Sequence, residues 1–258
     1  IQKTKRLTDK PFGVNVPIFF QAEAMMDVII EQGVRIVFTS GGSPKKHTQK
    51  LKDAGITVAH VTSSPELAKK CELAGVDAVV CEGFEAGGHN GRDELTTMVL
   101  VPQVVDCVTI PVIAAGGIAD GRGVAAAFAL GADGVQIGSR FAVTKEAASH
   151  PNFKKAVIDA KSGDTHLVMK PLIPVRLLKN DFCKRVIDAE AGGVDVIGLS
   201  DILGRGRAKL GMSEGDLSEG ELEIGQVSGM ISDDLTASNV IKQIIHTYNL
   251  SLQNISQF

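Results

Sequence analysis

Val76-Asp77-Ala78-Val79-Val80-Cys81-Glu82-Gly83-Phe84-Glu85-Ala86-Gly87-Gly88-His89-Asn90-Gly91 is the stretch on which the fold turns. Its first residues form a short apolar run of the kind found in strands buried on both faces. The ten residues from Glu82 to Gly91 then hold four glycines, two carboxylates and one histidine. Glycine permits positive φ and close approach of backbone to a ligand, and a histidine in such a loop exchanges a proton near neutral pH. The stretch therefore reads as a strand end opening into a site rather than as a connecting turn.

The same grammar recurs on both sides. Strands are expected at 12–16, 35–39, 56–61, 78–81, 111–115 and 134–137, each running into Gly, Ser or Thr. Helical patterns follow at 21–32, 45–54, 65–74, 96–106 and 120–130, with Ser64 before Pro65 as an N-terminal signal. Apolar strands alternating with helices imply a parallel sheet covered on both faces, joined by right-handed crossovers. Site-like residues at nearly every strand end favour a closed barrel over an open doubly wound sheet, which concentrates them at one switch point. The expected fold is α/β, a TIM (β/α)8 barrel. Six units are legible where eight are needed, and residues 1–10 read as the tail of a helix, so about two N-terminal βα units are expected to be missing from this chain. The chain is expected to be a single domain over 1–258, with barrel units over 1–145. Residues 146–258 form a helical and glycine-rich extension packed near the site, with helices expected at 153–161, 175–188 and 236–248.

Composition narrows the function. A net charge of -3, no Trp and one Tyr argue against a nucleic-acid surface. With no signal peptide and no apolar run approaching the ~18 residues of a membrane span, the cytoplasm is the expected location and no membrane partner is expected. The four cysteines, Cys71, Cys81, Cys107 and Cys183, show no CxxC pair and no metal-ligand spacing, so they read as free structural thiols and no metal is expected.

Two glycine-rich strand ends, Ala114-Ala115-Gly116-Gly117-Ile118 and Gln136-Ile137-Gly138-Ser139-Arg140, stand where the last two strands of a barrel commonly hold a phosphate through backbone N–H groups. Thr96-Thr97 reads as a helix cap, Glu82 as a hydrogen-bond acceptor for a ligand, Glu85 as a loop-ordering residue and Asn15 as a ligand-facing amide. The basic run at Arg205, Arg207 and Lys209 reads as a solvated face.

Taken in order, Glu82–His89, Leu95-Thr96-Thr97, Ile113–Ala119 and Val135–Phe141, with Pro11–Val16 and Ile224-Gly225-Gln226-Val227, closely resemble the nitronate monooxygenase (2-nitropropane dioxygenase) family. Flavin-dependent enoyl-acyl-carrier-protein reductases are similar in fold and motifs. The resemblance implies a barrel carrying FMN, with His89 as the active-site histidine facing the flavin ring. It implies Ala114, Gly116, Gly117, Gly138 and Ser139 at the cofactor phosphate, with Asn15, Glu82, Gly87, Gly88 and Gln226 lining the cofactor or substrate pocket. Family members carry two further units and a Gln-Gly-Gly-Met-like first strand, which this chain lacks. The implied activity is oxidation of alkyl nitronates with O₂. The alternatives are NAD(P)H-dependent reduction of an enoyl thioester on acyl carrier protein, and a barrel that binds flavin or phosphate without turnover. A small-molecule substrate is the expected partner, and a homodimer is left open.

Overall fold

The computed structural model describes residues 1–18 and 22–257. The elements run α1 (Gln2–Leu7), β1 (Gly13–Pro17), α2 (Ala22–Glu31), β2 (Ile36–Ser40), α3 (Lys45–Asp53), β3 (Thr57–Thr62), α4 (Pro65–Leu73) and β4 (Ala78–Glu82). They continue as β5 (Gly88–His89), α5 (Thr97–Val105), β6 (Val112–Ala115), α6 (Gly121–Ala129), β7 (Gly134–Gln136) and the one-turn α7 (Ser139–Ala142). The extension holds α8 (Pro151–Asp159), β8 (Thr165–Val168), β9 (Val175–Leu178), α9 (Asp181–Ala191), α10 (Val196–Leu203) and α11 (Ala237–Ile255). Gln21, the first residue of one expected helix, lies outside the described residues.

Among the described residues, β1-β2-β3-β4-β6-β7 form one curled parallel sheet in sequential order, with no pairing between β1 and β7. The architecture is that of a TIM barrel over these six strands. Strand parity decides what each face does. Val16, Val37, Val58, Val79, Cys81 and Ala114 point outward and pack against Met26, Leu51, Leu100 and Val124 of the helices. Phe38, Ala59, Val80 and Ala115 point inward and fill the concave side. A fully buried Leu such as Leu51 contributes about 1.5–3 kcal/mol through the apolar surface it withdraws from water.

One local device is used twice. In Gly75-Val76-Asp77-Ala78 and Gly131-Ala132-Asp133-Gly134 the aspartate stands just before a strand. Its carboxylate accepts the N–H at the start of the neighbouring strand: Val58 N to Asp77 at 2.8 Å, and Val112 N to Asp133 at 2.9 Å. Sheet N–H groups that would otherwise lack partners are thereby satisfied. Helix starts are equally explicit. Ser64 accepts from Leu67 N, Asp120 from Arg122 N and Gly123 N, Asn180 from Cys183 N and Thr236 from Asn239 N.

Two expectations are corrected. Residues 175–188 are not one helix: Val175–Leu178 is a buried strand, and α9 begins only after the Asn180 cap. The loop after β4 is not wholly irregular either. Gly88–His89 pairs antiparallel with β9, which pairs with β8, so the extension is stitched to the barrel through a small second sheet. No helix among the described residues is long and apolar enough to cross a membrane.

Candidate active site

A cavity of about 300 Å³ opens at the C-terminal ends of β4, β6 and β7. Ala115 and Gln136 form its floor, the turns Gly116-Gly117-Ile118 and Gly138-Ser139 one side, and Glu82, Glu85, Ala86 and Gly87 the other. The extension roofs it with Met212, Glu223, Ile224 and Val227. Gly116 and Gly117 have φ of +85° and +70°. A Cβ on Gly116 would stand 2.6 Å from the Gly83 carbonyl oxygen, so two backbone segments meet there with no room for a side chain. Gly138 differs: a Cβ built on it meets no protein atom within 4 Å, because it faces open space.

Cross-ties fix the roof to the floor. The Ser139 hydroxyl accepts from Gly225 N at 2.9 Å, and the Glu85 carbonyl accepts from Gln226 N at 2.9 Å. Arg176, buried on β9, donates from Nε to the Phe84 carbonyl at 2.9 Å and lies over the Phe84 ring at 5.0 Å, clamping the glycine loop. The Glu85 carboxylate accepts from Thr97 N at 3.1 and 3.0 Å and from Thr97 Oγ1 at 3.1 Å. It therefore caps α5 from another segment. Thr96, expected to share that cap, makes no side-chain cap bond.

Among the described residues, three carboxylates face the cavity and no Lys or Arg is on its wall. Glu85 is engaged with the Thr97 donors. Burial pushes the Glu82 carboxyl up to about 7. Burial also raises Glu223, with the opposite pull of the His89 charge. Both shifts favour the uncharged acid, which reduces the repulsion an anionic ligand would meet.

Of the residues expected at the site, the cavity brings together Glu82, Gly87, Gly116, Gly117, Gly138 and Ser139. Ala114 is not on the wall: β6 parity turns its side chain outward into the helix-facing core, and Ala115 takes the place. Asn15 lies exposed on β1, and Gln226 is exposed and not on the cavity wall. Gly88 sits behind the wall with φ of +78°. His89 is exposed and lines a second cavity of about 200 Å³ with Met169, Val175, Leu203, Arg207 and Glu221. Arg207 is thus no solvated charge; it is held by the Leu203 and Glu219 carbonyls and lies over the Phe182 ring at 4.4 Å. Cys71, Cys81 and Cys183 are buried free thiols, pushed up to about 11, 12 and 11 by burial. Glu223 was not legible as a site residue by motif. The alternation Glu221-Leu222-Glu223-Ile224, with Leu222 and Ile224 buried, is the signal that could have found it.

Residues 21–247 match the family model described as nitronate monooxygenase. The chain belongs to the nitronate monooxygenase family. Within that setting, a probable nitronate monooxygenase of Staphylococcus aureus (strain MSSA476) is 34% identical over 244 residues, covering 90% of this chain and 68% of that protein. A (3aS,4S,5R,7aS)-5-hydroxy-7a-methyl-1-oxo-octahydro-1H-indene-4-carboxyl-CoA dehydrogenase of Rhodococcus jostii (strain RHA1) is 41% identical over 183 residues, 70% of this chain and 51% of that protein. The chain spans about half the length of the first curated relatives it matches. Among solved structures, FabK from Thermotoga maritima superposes with a TM-score of 0.94 at 38% identity, covering 99% of this chain and 81% of that one.

Proposed function

We propose that this family member is an FMN-dependent oxidoreductase that oxidises alkyl nitronates with O₂. The observation that carries the reading is the main cavity, whose two glycine turns at consecutive strand ends offer bare backbone on one side and apolar residues on the other. The residues fit the cofactor. Gly138 leaves open space where a side chain would stand, and the Gly116-Gly117 and Gly138-Ser139 turns would hold the phosphate through N–H groups and the Ser139 hydroxyl. Ala115, Ile118, Ile224 and Val227 would flank the ring system, and the volume lies at the lower end of small-molecule pockets. FMN, when bound there, would supply the redox chemistry, taking electrons from the organic substrate and passing them to O₂. Glu82, at the end of β4, would accept a hydrogen bond from the ligand, or donate one in its protonated form. His89, two residues beyond Gly87 of the wall, would orient an anionic substrate entering through the second cavity.

The purified chain is expected to be yellow, or to become so on incubation with FMN. Under anaerobic conditions propionate 3-nitronate should bleach the bound flavin, and O₂ should restore it. A colourless protein that takes up no FMN refutes the reading. One observation favours a second reading, oxidoreduction of a thioester with NAD(P)H: the 41% identical relative named as a CoA dehydrogenase. Bleaching by NADPH and not by the nitronate would transfer the assignment to it.

A further inference from the structure

The second cavity holds a buried acid without a protein partner. Glu221 lines it and is 8% exposed, and its carboxyl group takes no hydrogen bond or ion pair from any described residue. Its neighbour Arg207 is committed elsewhere. Nε goes to the Leu203 carbonyl and Nη1 to the carbonyl and carboxylate of Glu219, which leaves only Nη2 without an acceptor among the described residues. Buried polar groups are nearly always satisfied by protein, water or ligand. Burial and the Glu223 carboxyl push the Glu221 acid up to about 7, against the pull of Arg207, so near neutral pH it accepts a hydrogen bond or donates one. Met169, Leu172, Val175 and Leu203 make the rest of the wall apolar. Met169 is buried at φ +58°, a conformation that residues with a side chain seldom adopt.

This cavity adjoins the main one. Residues 221–224 run beside β9: Glu223 bridges to Leu177, and Leu178 N donates to the Leu222 carbonyl at 2.8 Å. In such an extended segment alternate residues share a face and stand ~7 Å apart. Leu222 and Ile224 enter the core, while Glu221 lines the second cavity and Glu223 the main one. The glycine loop repeats the step, with Gly87 on the main cavity and His89 on the second. The two cavities are therefore one two-residue step apart along both segments.

We propose that the second cavity seats a hydroxyl group carried on the apolar tail of the substrate, with Glu221 as its hydrogen-bond acceptor, so that the enzyme selects hydroxylated substrates over plain alkyl ones. The tail assignment rests on the reading that puts the reacting end of the substrate in the main cavity. A hydroxyl fits better than a charged group. An ammonium would face Arg207, whose charge is not fully cancelled because Glu219 is shared with Arg185. A carboxylate held there would face Glu221 itself. A hydroxyl donates to Glu221 and at the same time accepts from Arg207 Nη2 or from His89. The ~7 Å step between the cavities is about the reach of a five-carbon chain.

Two measurements test it. In the purified protein labelled with methyl-¹³C methionine, the Met169 resonance, identified by its loss in Met169→Leu, reports on the second cavity without turnover. 1-Hexanol should move it and bind about tenfold tighter than its isomer 1-methoxypentane, which has no O–H to donate. Glu221→Leu removes a buried, unpaired acid and should fold at least as stably as the parent. In that variant the preference for the alcohol should shrink to about twofold or less. An unmoved Met169 resonance, tighter binding of hexylammonium or hexanoate than of 1-hexanol, or an alcohol preference that survives in Glu221→Leu overturns the proposal. In the FMN-loaded enzyme, kcat/KM for the nitronate of 5-nitropentan-1-ol should exceed that for the nitronate of 1-nitrohexane, where a methyl replaces the hydroxyl, by about tenfold, and Glu221→Leu should level the two. Equal values in the parent overturn the tail assignment. If the parent oxidises neither nitronate, the nitronate reading falls, and the Met169 titration decides the hydroxyl seat by itself.

Discussion

Glu85 faces the main cavity, yet its geometry assigns it to holding the fold, and replacing it should show this. The carboxylate accepts from the backbone N–H of Thr97 and from its hydroxyl, at 3.0–3.1 Å. Thr97 is the first residue of α5, and its own N–H lacks a partner inside the helix. Gly83 is part of the same arrangement: a Cβ there would stand 2.1 Å from Thr97 Oγ1, so the glycine admits the helix end to the loop. Hydrogen bonds to a charged acceptor contribute about 1.5–3 kcal/mol each before overlap, and a lost N-cap costs about 1 kcal/mol. Because the bonds share one carboxylate, Glu85→Ala should cost about 2–3 kcal/mol in total. At this chain length that corresponds to a fall in Tm of roughly 5–10 °C. Glu85→Gln keeps an acceptor oxygen and should lose about half as much. Thermal unfolding followed by circular dichroism measures both. A Tm within 2 °C of the parent for Glu85→Ala, with turnover abolished, would refute the reasoning and make Glu85 a chemical group of the site.

Gly138→Ala should separate binding from folding. Its φ of -98° suits any residue and the added Cβ meets nothing, so stability should stay within about 0.5 kcal/mol while FMN affinity, measured by fluorescence titration, falls at least tenfold. Gly116→Ala meets the Gly83 carbonyl at φ +85°, and denaturant unfolding should show a loss of about 2 kcal/mol or more. His60, 3% exposed with Nδ1 2.7 Å from Thr39 Oγ1, is lowered by burial from 6.5 to about 4. The unfolded chain then binds the extra proton, so the stability this neutral imidazole contributes is complete above pH 6.5. It is lost as pH falls through 4, up to about 3 kcal/mol. Urea unfolding across that range should show a flatter acid limb in His60→Gln; an unchanged limb would place the imidazole proton elsewhere.

Much of the barrel was legible because its signals are local. Continuous apolar strands, Gly stops and the caps at Ser64 and Asp120 each act within a few residues, and the six strands fall where the pattern places them. What escaped depends on partners far along the chain. Val175–Leu178 is four buried residues long, too short for periodicity to tell strand from helix; it is a strand because Gly88–His89 and Thr165–Val168 pair with it. Gly88–His89 is a strand for the same reason. Ala114 and Ala115 are chemically alike, and only the register of β6 against β4 decides which one faces inward. At the site, the glycine turns announced themselves by composition. Glu223 did not, because it joins the wall only when the roof segment folds back over the strand ends.

The pairing of β5 with β9 also carries a message about time. The sheet can assemble from the first 136 residues, whose contacts join successive segments. The cavity cannot, because its loop is stapled at residues 175–176 and its roof is formed by residues 212–227. A chain emerging from the ribosome would show the strand ends and glycine turns of the cavity floor, Ala115, Gly116 and Gly117, well before the segment that roofs them had been made. The site is thus completed only by contacts that span about 90 residues or more of chain, the kind of contact whose loop-closure cost slows folding.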